Sequence, residues 1–506
     1  MPGRSEDSDL VEPQSSSAVA ERIGQQTRRG ISWNLAGAVA TNGMRVIVLA
    51  VLGRALSSSD FGIVAAAVSV NTIVYSIRDI GVGPALIQRD QIDNAHLTTA
   101  FAVSMYMGFA LSGILVLAAP LIGETFHITG SVNVIRALAL LLLVRNTAVT
   151  SRMMCRREMN FRLIAVIDTT SFMAGSVVSL VAVAVYGGPW ALVAGYWVEE
   201  VIATALYFVY QPPKFSFAIH LRQLRELLSF GIGQTITAIT MVIATYGDNV
   251  IVGHVLGTTA LGYYSRAYDL IRFPSMVFEA VVGSVLFSAF SRLQRADRDG
   301  LASNFRRVMF VNGLLLLPAS AALIVLAPEA VRLLIGPGWD EAVLPFRILT
   351  LAIVMRTNQK LGAVVAQAAG AVNAVAISFT IYAIAVVGGA AIAIRWGIPG
   401  VACSTALANT ILCIECCFLA MRVSGLGLRS VLGAHVPGLA LSALVVVIGW
   451  PLASVLRSIA PAAVTFSVVA AAAIVSCITA VVIWLKLARG DFAWLGTELR
   501  RLRRVR

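Results

Sequence analysis

The sequence is poor in charged residues, which make up only 13% of the 506 residues, whereas hydrophobic residues make up 58%. A typical soluble domain carries about 25% charged residues. A soluble chain of this length would expose more apolar surface than its polar side chains could cover. The scarcity of charge therefore excludes a soluble globular protein and favours an integral membrane protein.

Histidine and cysteine are also scarce, with five and six residues. Most cysteines lie in apolar segments, where a thiol packs as a small apolar group, so we predict no disulfide framework. The group Cys413, Glu415, Cys416 and Cys417 has no second pair at metal-ligand spacing, so we expect no metal. The sequence has no phosphate-binding glycine loop and no large segment outside the apolar runs. We therefore expect neither a cofactor nor an enzyme.

Apolar runs recur along the chain, and each is long enough to cross the ~30 Å hydrocarbon core of a bilayer. We predict fourteen spans, all helical because lipid offers no partner to a free backbone group. Their approximate bounds are 31–52, 62–87, 96–120, 131–150, 163–186, 190–210, 228–253, 262–290, 305–327, 341–362, 371–394, 398–421, 432–456 and 462–485.

The net charge of +13 comes mainly from arginines in the connections between alternate spans, which argues against a nucleic-acid-binding surface. Basic residues concentrate on the cytoplasmic side of membrane proteins. The pattern predicts a protein of the cytoplasmic (inner) membrane with both termini in the cytoplasm. In this orientation the arginines of the outer connections are Arg54, Arg332, Arg395 and Arg457.

The chain contains an internal repeat at an offset of about 200 residues. LGRALSSSDFGIVAAA (52–67) matches VGHVLGTTALGYYSRA (252–267), with Gly53 aligned to Gly253 and Gly62 to Gly262. Because spans one and two match spans seven and eight, each unit contains six helices and the two units are parallel repeats. Such repeats are related by an axis along the membrane normal, with the solute path between them.

The expected fold class is therefore an all-α polytopic membrane protein, with two six-helix lobes around a central cavity and two further helices. The expected division is a disordered cytoplasmic tail (1–29), an N-terminal lobe (30–226), a C-terminal lobe (227–422), two peripheral helices (423–487) and a basic cytoplasmic tail (488–506).

Charged residues inside the spans are the candidates for binding, because each costs roughly 2.5–3.5 kcal/mol in hydrocarbon and needs a wet or paired setting. They cluster on the same helix pair of each repeat, and together predict a net-positive cavity for an anionic group. Guanidinium groups suit this role because they stay charged and form bidentate hydrogen bonds to phosphate oxygens. The candidates are Arg45, Arg78, Asp79, Asp248, Arg266, Asp269 and Arg272.

Each of these residues also has a structural interpretation. Arg78 and Asp79 could reach the cytoplasmic surface from the end of their span. Arg45 and Arg266 could pair with Asp248 or Asp269. Glu199 and Glu200 could carry a coupling proton or serve as a helix-packing pair.

Several segments together resemble the polysaccharide transporter branch of the multidrug/oligosaccharidyl-lipid/polysaccharide (MOP) exporter superfamily, in particular its lipopolysaccharide and colanic-acid exporter group. The resemblance covers about 31–422; Ser288 departs from the proline frequent in the group, and the last two spans match little. The matching segments are LGYYSRAYDL (261–270) with Pro274 after it, VVGSVLFSAFSRLQ (281–294), SDFGIVAAA (59–67), RDIGVGPALIQR (78–89), HLTTAF (96–101), REMNFRLIAVID (157–168), YGGPWALVAGY (186–196) and GWDEAVLPFRIL (338–349).

The resemblance implies fourteen helices around a V-shaped cavity and the export of undecaprenyl-diphosphate-linked oligosaccharides by alternating access. In related lipid II flippases, arginines on the first and eighth helices handle the substrate, and Arg45 and Arg266 occupy comparable helices. Asp60 resembles a functional acidic position and is a second candidate for coupling. The implied partners are the lipid-linked oligosaccharide, membrane lipid and other polysaccharide assembly proteins, with a monomer as an adequate working unit.

Three alternative functions remain open on the sequence. A drug or metabolite antiporter of the same superfamily would favour an acidic cavity. A membrane polysaccharide ligase or polymerase would place essential carboxylates in its outer connections, and a scaffold protein would tolerate loss of the cavity arginines.

Overall fold

The computed structural model describes residues 43–78, 82–89, 91–127, 132–293 and 298–487. The predicted tails, 1–29 and 488–506, lie outside the described residues. Helix α1 occupies 43–55 of the described chain. The other helices are α2 (Ser58–Arg78), α3 (Val82–Gln88), α4 (Asn94–Thr125), α5 (Val132–Thr147), α6 (Val149–Arg157), α7 (Phe161–Val185), α8 (Trp190–Tyr210), α9 (Leu221–Leu293), α10 (Arg298–Val325), α11 (Ala327–Leu334), α12 (Val343–Leu351), α13 (Ile353–Ala368), α14 (Val372–Ala393), α15 (Gly397–Ser424), α16 (Leu428–Ile459) and α17 (Ala462–Leu487).

The predicted fold class is confirmed. The described residues form helices and connections without a strand, and 9 helical stretches are long and apolar enough to cross a membrane, or 10 with the bent pair α5–α6. One stretch, Val372–Ser424, contains both α14 and α15. Since an α-helix rises about 1.5 Å per residue, each of these two helices is long enough to cross by itself.

The two repeats turn at the same place. In the first repeat, α1 and α2 are separated by a bend at Leu56 and Ser57. In the second, α9 contains predicted spans seven and eight and turns at Gly257, whose backbone is non-helical (φ 81°, ψ 178°). A positive φ of this size is readily adopted by glycine alone. The sequence predicted a separate connection between spans seven and eight, but in the structure a turn at Gly257 takes its place.

Predicted span ten differs from expectation because it is not one helix. α12 ends at Leu351 and α13 begins at Ile353, with Ala352 between them. Trp339 and the short 3₁₀ turn Asp340–Ala342 precede α12. Periodicity did not reveal this break, since no proline or glycine marks it.

The helix predicted as span thirteen, α16, packs closely along α10. A methyl group at Gly438 would overlap the backbone of Gly313, so the two helices touch at their glycines. Arg457, near the end of α16, donates to the buried carboxylate of Glu329 at 2.6 Å and 3.0 Å. The ion pair and the glycine contact therefore attach α16 to the second repeat at two positions along its length.

The two repeats cross at one end of the bundle, which we call the closed end. The contact there is made by Ser58, Ser59 and Gly62 of α2 and by Thr258 and Gly262 of α9. A methyl group at Gly62 would overlap the carbonyl oxygen of Thr258, and one at Gly262 would overlap the carbonyl oxygen of Ser58. The contact is therefore reciprocal. The two backbones approach this closely because neither crossing residue has a side chain.

Connections from each repeat cover the other repeat's first helix beside the closed end. Gly53 of α1 lies against Ile335, and its repeat mate Gly253 lies against the ring of Phe126. Trp339 strengthens the first contact: its indole donates to the carbonyl of Gly53 at 3.0 Å, and its ring packs edge-on against Phe61 at 5.5 Å. The repeats therefore interlock at this end rather than merely touching.

Ion pairs near the start of α9 join it to the first repeat, before the apolar stretch that begins at Ile239. Glu226 lies 2.8 Å from Arg89 and 3.2 Å from His96, and His96 also contacts Asp93. Hydrogen bonds from His96 lower the pKa of both Glu226 and Asp93. Because these values are lowered, the pairs stabilise the fold at neutral pH and lose that effect as the pH falls below about 4.

Replacing Gly62 by alanine is expected to prevent the closed end from forming, because the new methyl group overlaps the carbonyl of Thr258. A disulfide between Ser59→Cys and Thr258→Cys reports the contact, since the native hydroxyl oxygens lie 3.3 Å apart. Gly62→Ala should reduce this cross-link severalfold.

The matched control is Gly113→Ala in α4, where nothing lies within 4 Å of the new methyl group. This substitution should leave the cross-link intact, since alanine is the better helix former. Unchanged cross-linking in the Gly62 variant would show that the two helices tolerate a wider separation.

Candidate functional site

A cavity of about 470 Å³ lies between the two repeats, next to the closed end. Its wall is formed by α1, α2, α5, α7, α8 and α9, so both repeats contribute to it. The volume lies within the range of about 300–1,000 Å³ that is usual for small-molecule sites. The cavity can therefore hold a compact head group but not a long polymer.

Three arginines line the cavity, and each guanidinium lies over an aromatic ring. Arg45 is 5.1 Å from the ring centre of Phe172, and Arg266 is 4.6 Å from that of Phe61. Arg145 lies 4.3 Å from the ring centre of Tyr75 in α2. A ring face attracts a cation without neutralising it. The arginines are thus positioned by the rings without loss of their positive charge.

The cavity also holds two carboxylates, Asp269 and Glu199. Asp269 forms an ion pair with Arg266 at 3.0 Å, one helical turn away on α9. The Arg266 Nε atom is buried and has no hydrogen-bond partner in the described part of the chain. With three arginines and two carboxylates, the cavity carries a formal charge of one positive unit.

Uncharged polar groups complete the wall where the repeats meet. Asn249 of α9 donates to Ser69 of α2 at 3.2 Å, and both residues line the cavity. Tyr196 of α8 is a partly exposed aromatic residue in the same wall. An amide, hydroxyls and an aromatic face can orient a small-molecule ligand through hydrogen bonds and apolar contact.

Asp248, predicted as a binding residue, lies behind the cavity wall rather than in it. Its side chain is 1% exposed. The hydroxyl of Tyr264 donates to it at 2.6 Å, the hydroxyl of Thr405 at 3.3 Å, and the N–H of Asn249 at 2.8 Å. Its partners come from α9 and α15, so it joins helices of the second repeat. The neighbouring Asn249, one position along the helix, faces the cavity instead.

Two further candidates, Asp60 and Glu200, contact nearby residues that give each of them a structural role. Asp60 accepts hydrogen bonds from the N–H and hydroxyl of Ser57 at 3.0 Å and 2.6 Å, as the third residue of a helix does from the residue that caps its start. Glu200 lies 4.0 Å from Arg145 and 3.9 Å from Arg152, inside the first repeat. Glu199, its neighbour in the chain, is the member of that pair that lines the cavity.

Three candidates cannot be placed. Asp79 lies outside the described residues, and only the backbone of Arg78 and Arg272 is described, within α2 and α9. Of the ten candidate residues, the structure brings four together in the cavity: Arg45, Glu199, Arg266 and Asp269.

Sequence reasoning missed Arg145, Tyr196 and Asn249 as cavity residues. Arg145 lies in the last turn of α5, where an arginine is expected to reach the membrane surface. Asn249 could have been found, because an amide beside a buried aspartate in an apolar helix is unusual. Tyr196 carries no signal that distinguishes it from an ordinary lipid-facing aromatic residue.

A protein-family model described as "Polysaccharide biosynthesis protein" matches residues 51–344, more than half of the chain. The lipopolysaccharide biosynthesis protein WzxC of Escherichia coli (strain K12) is 24% identical over 335 residues, which cover 66% of this chain and 68% of that protein. The succinoglycan biosynthesis transport protein ExoT of Rhizobium meliloti (strain 1021) is 27% identical over 318 residues. That match covers 62% of this chain and 63% of ExoT, slightly less than two thirds of its length.

Solved structures with the same fold include two transporters. The lipid II flippase MurJ in its inward closed conformation superimposes with a TM-score of 0.70 at 13% identity, covering 92% of this chain and 99% of that chain. An inward-facing multidrug resistance MATE family transporter of the MOP superfamily superimposes with a TM-score of 0.55 at 16% identity, covering 78% and 95%. At these identities the likeness establishes the fold alone.

Removing the Tyr264 hydroxyl should destabilise the protein, because Asp248 then loses its closest donor while remaining buried. Leaving a buried acceptor short of a hydrogen bond costs about 1–3 kcal/mol. We expect Tyr264→Phe to lower the thermal unfolding temperature of the purified protein.

Tyr263→Phe is the matched control, because that hydroxyl makes a long 3.4 Å contact with Gly338 at an exposed site. Its unfolding temperature should stay close to that of the unmodified protein. Equal temperatures for the two variants would mean that the Tyr264 contact adds little to stability.

Proposed function

This chain belongs to the polysaccharide biosynthesis protein family, and from that membership we propose that it is a flippase for a polyprenyl-diphosphate-linked oligosaccharide. The substrate is a precursor of a cell-surface polysaccharide, and it crosses the cytoplasmic membrane from the cytoplasmic side. The relatives support this assignment: WzxC is named for lipopolysaccharide biosynthesis, and ExoT for transport in succinoglycan biosynthesis.

The observation that carries the proposal is the group of three arginines in a cavity between the two repeats. A diphosphate is an anion with several acceptor oxygens, and guanidinium groups bind such oxygens through paired hydrogen bonds. Arg266 and Arg45, one from each repeat, both line the cavity. The excess of arginine over carboxylate favours an anion over the cationic drugs that an acidic cavity would hold.

The fold limits how the head group can move. Unaided passage of a charged head group through hydrocarbon is unfavourable, because each charge loses its hydration. In the proposed cycle the cavity receives the diphosphate and first sugars from one side, while the polyprenyl tail stays in lipid. Separation of α2 from α9 at the closed end then opens the cavity to the other side. This is alternating access by movement of two repeats about a fixed site.

The distribution of arginine supports the orientation of the proposed cycle. With both termini in the cytoplasm, the closed end lies on the outer side of the membrane, and substrate that enters from the cytoplasmic side leaves where the closed end separates. The basic connections then face the cytoplasm, as is usual in membrane proteins.

A flipping assay in proteoliposomes tests the proposal. The substrate is a fluorescent polyprenyl-diphosphate oligosaccharide, and its appearance in the opposite leaflet is followed over time. We expect the unmodified protein to flip it and the double variant Arg45→Ala, Arg266→Ala to be at least tenfold slower. Hydrogen bonds to charged groups contribute about 1.5–3 kcal/mol each, and every 1.4 kcal/mol is about a factor of ten in affinity.

The matched control is the double variant Arg136→Ala, Arg395→Ala, which removes the same charge from exposed positions away from the cavity. Its flipping rate should equal that of the unmodified protein. Equal rates in the cavity variant, with the protein still folded, would exclude the arginines as the binding site. No flipping by the unmodified protein would contradict the proposed substrate.

A further inference from the structure

Two arginines from different helices meet at the C-terminal end of α10, outside the cavity. The Nε atom of Arg347 in α12 donates to the carbonyl of Ile324 at 3.2 Å, and a terminal nitrogen of Arg457 in α16 donates to the carbonyl of Val325 at 2.7 Å. These carbonyls belong to adjacent residues in the last turn of α10, where the helix dipole favours positive charge. The two guanidinium groups are therefore held side by side.

Only one of these two positive charges is neutralised by a carboxylate among the described residues. Glu329, which is buried, accepts hydrogen bonds from Arg457 at 2.6 Å and 3.0 Å, one on each carboxylate oxygen. Arg347 forms no ion pair within the same part of the chain, and its hydrogen bond to Ile324 uses Nε rather than the two terminal nitrogens. The cluster therefore carries one positive charge in excess, and the terminal nitrogens of Arg347 are left for an acceptor.

The surface around the cluster has the composition found where lipid head groups meet hydrocarbon. The guanidinium of Arg347 lies 5.6 Å from the ring centre of Trp450 in α16, and tryptophan is enriched at membrane interfaces. On α12, Leu344 and Leu351 share a face with Arg347, one turn before it and one turn after it, and are 51% and 64% exposed. On α16, Val447 lies one turn before Trp450 and is 70% exposed. The arginines therefore adjoin apolar surface that faces lipid.

The depth of these residues fits a lipid that lies along the two helices. Both arginines are fixed at the C-terminal end of α10. Helix α12 runs away from this end after Arg347, and α16 approaches it at Arg457, so Leu351 and Val447 lie deeper in the bundle than the arginines do. A lipid with its phosphate at the arginines would therefore place its acyl chains on these apolar side chains.

An anionic phospholipid matches the charge and the apolar surface of this cluster. Its phosphate diester carries one negative charge, which equals the excess positive charge, and guanidinium groups form paired hydrogen bonds to phosphate oxygens. A zwitterionic head group adds an ammonium group, which the excess positive charge would repel. A soluble phosphate has no apolar chains to cover Leu351 and Val447.

We propose that Arg347 and Arg457 bind the phosphate of an anionic phospholipid of the phosphatidylglycerol type, in the membrane leaflet at the closed end. The acyl chains lie along the exposed faces of α12 and α16, and Trp450 borders the head group. The leaflet follows from Trp339, which shortly precedes α12 and donates to Gly53 beside the closed end. The site is separate from the cavity and independent of the proposed flippase function.

Native mass spectrometry of the purified full-length protein measures lipid binding directly. Phosphatidylglycerol is titrated into the delipidated protein in detergent, and phosphatidylethanolamine with the same acyl chains is titrated in parallel. We expect the first phosphatidylglycerol to bind several times more tightly than the first phosphatidylethanolamine. Arg347→Ala should weaken phosphatidylglycerol binding about tenfold, because the phosphate loses charge-assisted hydrogen bonds. Binding of phosphatidylethanolamine should change little.

The matched control is Arg395→Ala, which removes the same charge from another arginine–tryptophan contact, 4.0 Å from the ring centre of Trp396. It should keep the lipid affinity of the unmodified protein. Thermal unfolding separates binding from a structural role. Phosphatidylglycerol should raise the unfolding temperature of the unmodified protein and of the control, since a ligand of the folded state stabilises it, but not that of Arg347→Ala. A purely structural role would lower the temperature of Arg347→Ala and leave the lipid-induced rise intact.

Equal affinity of the unmodified protein for the two lipids overturns the proposal, and this measurement decides the question even where a variant fails to fold. An equal loss of affinity in Arg395→Ala also overturns it, because the effect then belongs to surface charge in general. Glycerophosphoglycerol, the same head group without acyl chains, should not displace the lipid at equal concentration. Displacement would assign the site to a soluble phosphate and overturn the lipid assignment.

Discussion

A guanidinium group within hydrocarbon costs about 2.5–3.5 kcal/mol on insertion scales, and this protein places three of them on apolar helices around one cavity. Aromatic rings lie beside all three, and carboxylates pair with two of them, Asp269 with Arg266 and Glu200 with Arg145. These contacts lessen the cost without removing the positive charge. Because the cavity must stay accessible to water or to an anion, the helices that carry the arginines cannot close onto one another along their whole length.

The two repeats must nevertheless be held together, and the helix contact at the closed end does this. Helices α2 and α9 cross at reciprocal glycines, where the backbone of each fills the space left by the missing side chain of the other. A contact between backbones has little side-chain entropy to lose when it forms. It can therefore be tight when made and still separate as a unit. Trp339 and the glycines at 53 and 253 extend the same contact to the neighbouring connections.

Much of this architecture could be predicted from the sequence, for physical reasons. Lipid permits few backbone conformations, so apolar length alone predicted most of the helices, including both parts of α9, although it did not predict the break in span ten. The repeat identified the paired glycines, since the sequence around Gly62 recurs at Gly262. Arg266 and Asp269 are three residues apart, and residues at that spacing share a helix face. Their ion pair is consistent with the structural interpretation offered for Arg266 and does not prevent it from lining the cavity.

What could not be predicted depends on partners distant in the chain. Asp248 and Asn249 are adjacent, yet one is buried against Thr405 while the other faces the cavity. Only the packing of α15, more than 150 residues later, decides between them. Glu199 and Glu200 divide in the same way: Glu200 turns toward the interior of the first repeat, where Arg145 and Arg152 lie near it, whereas Glu199 lines the cavity. Neighbouring polar groups thus acquire different surroundings, because contacts made far along the chain decide which of them meets a partner inside the fold.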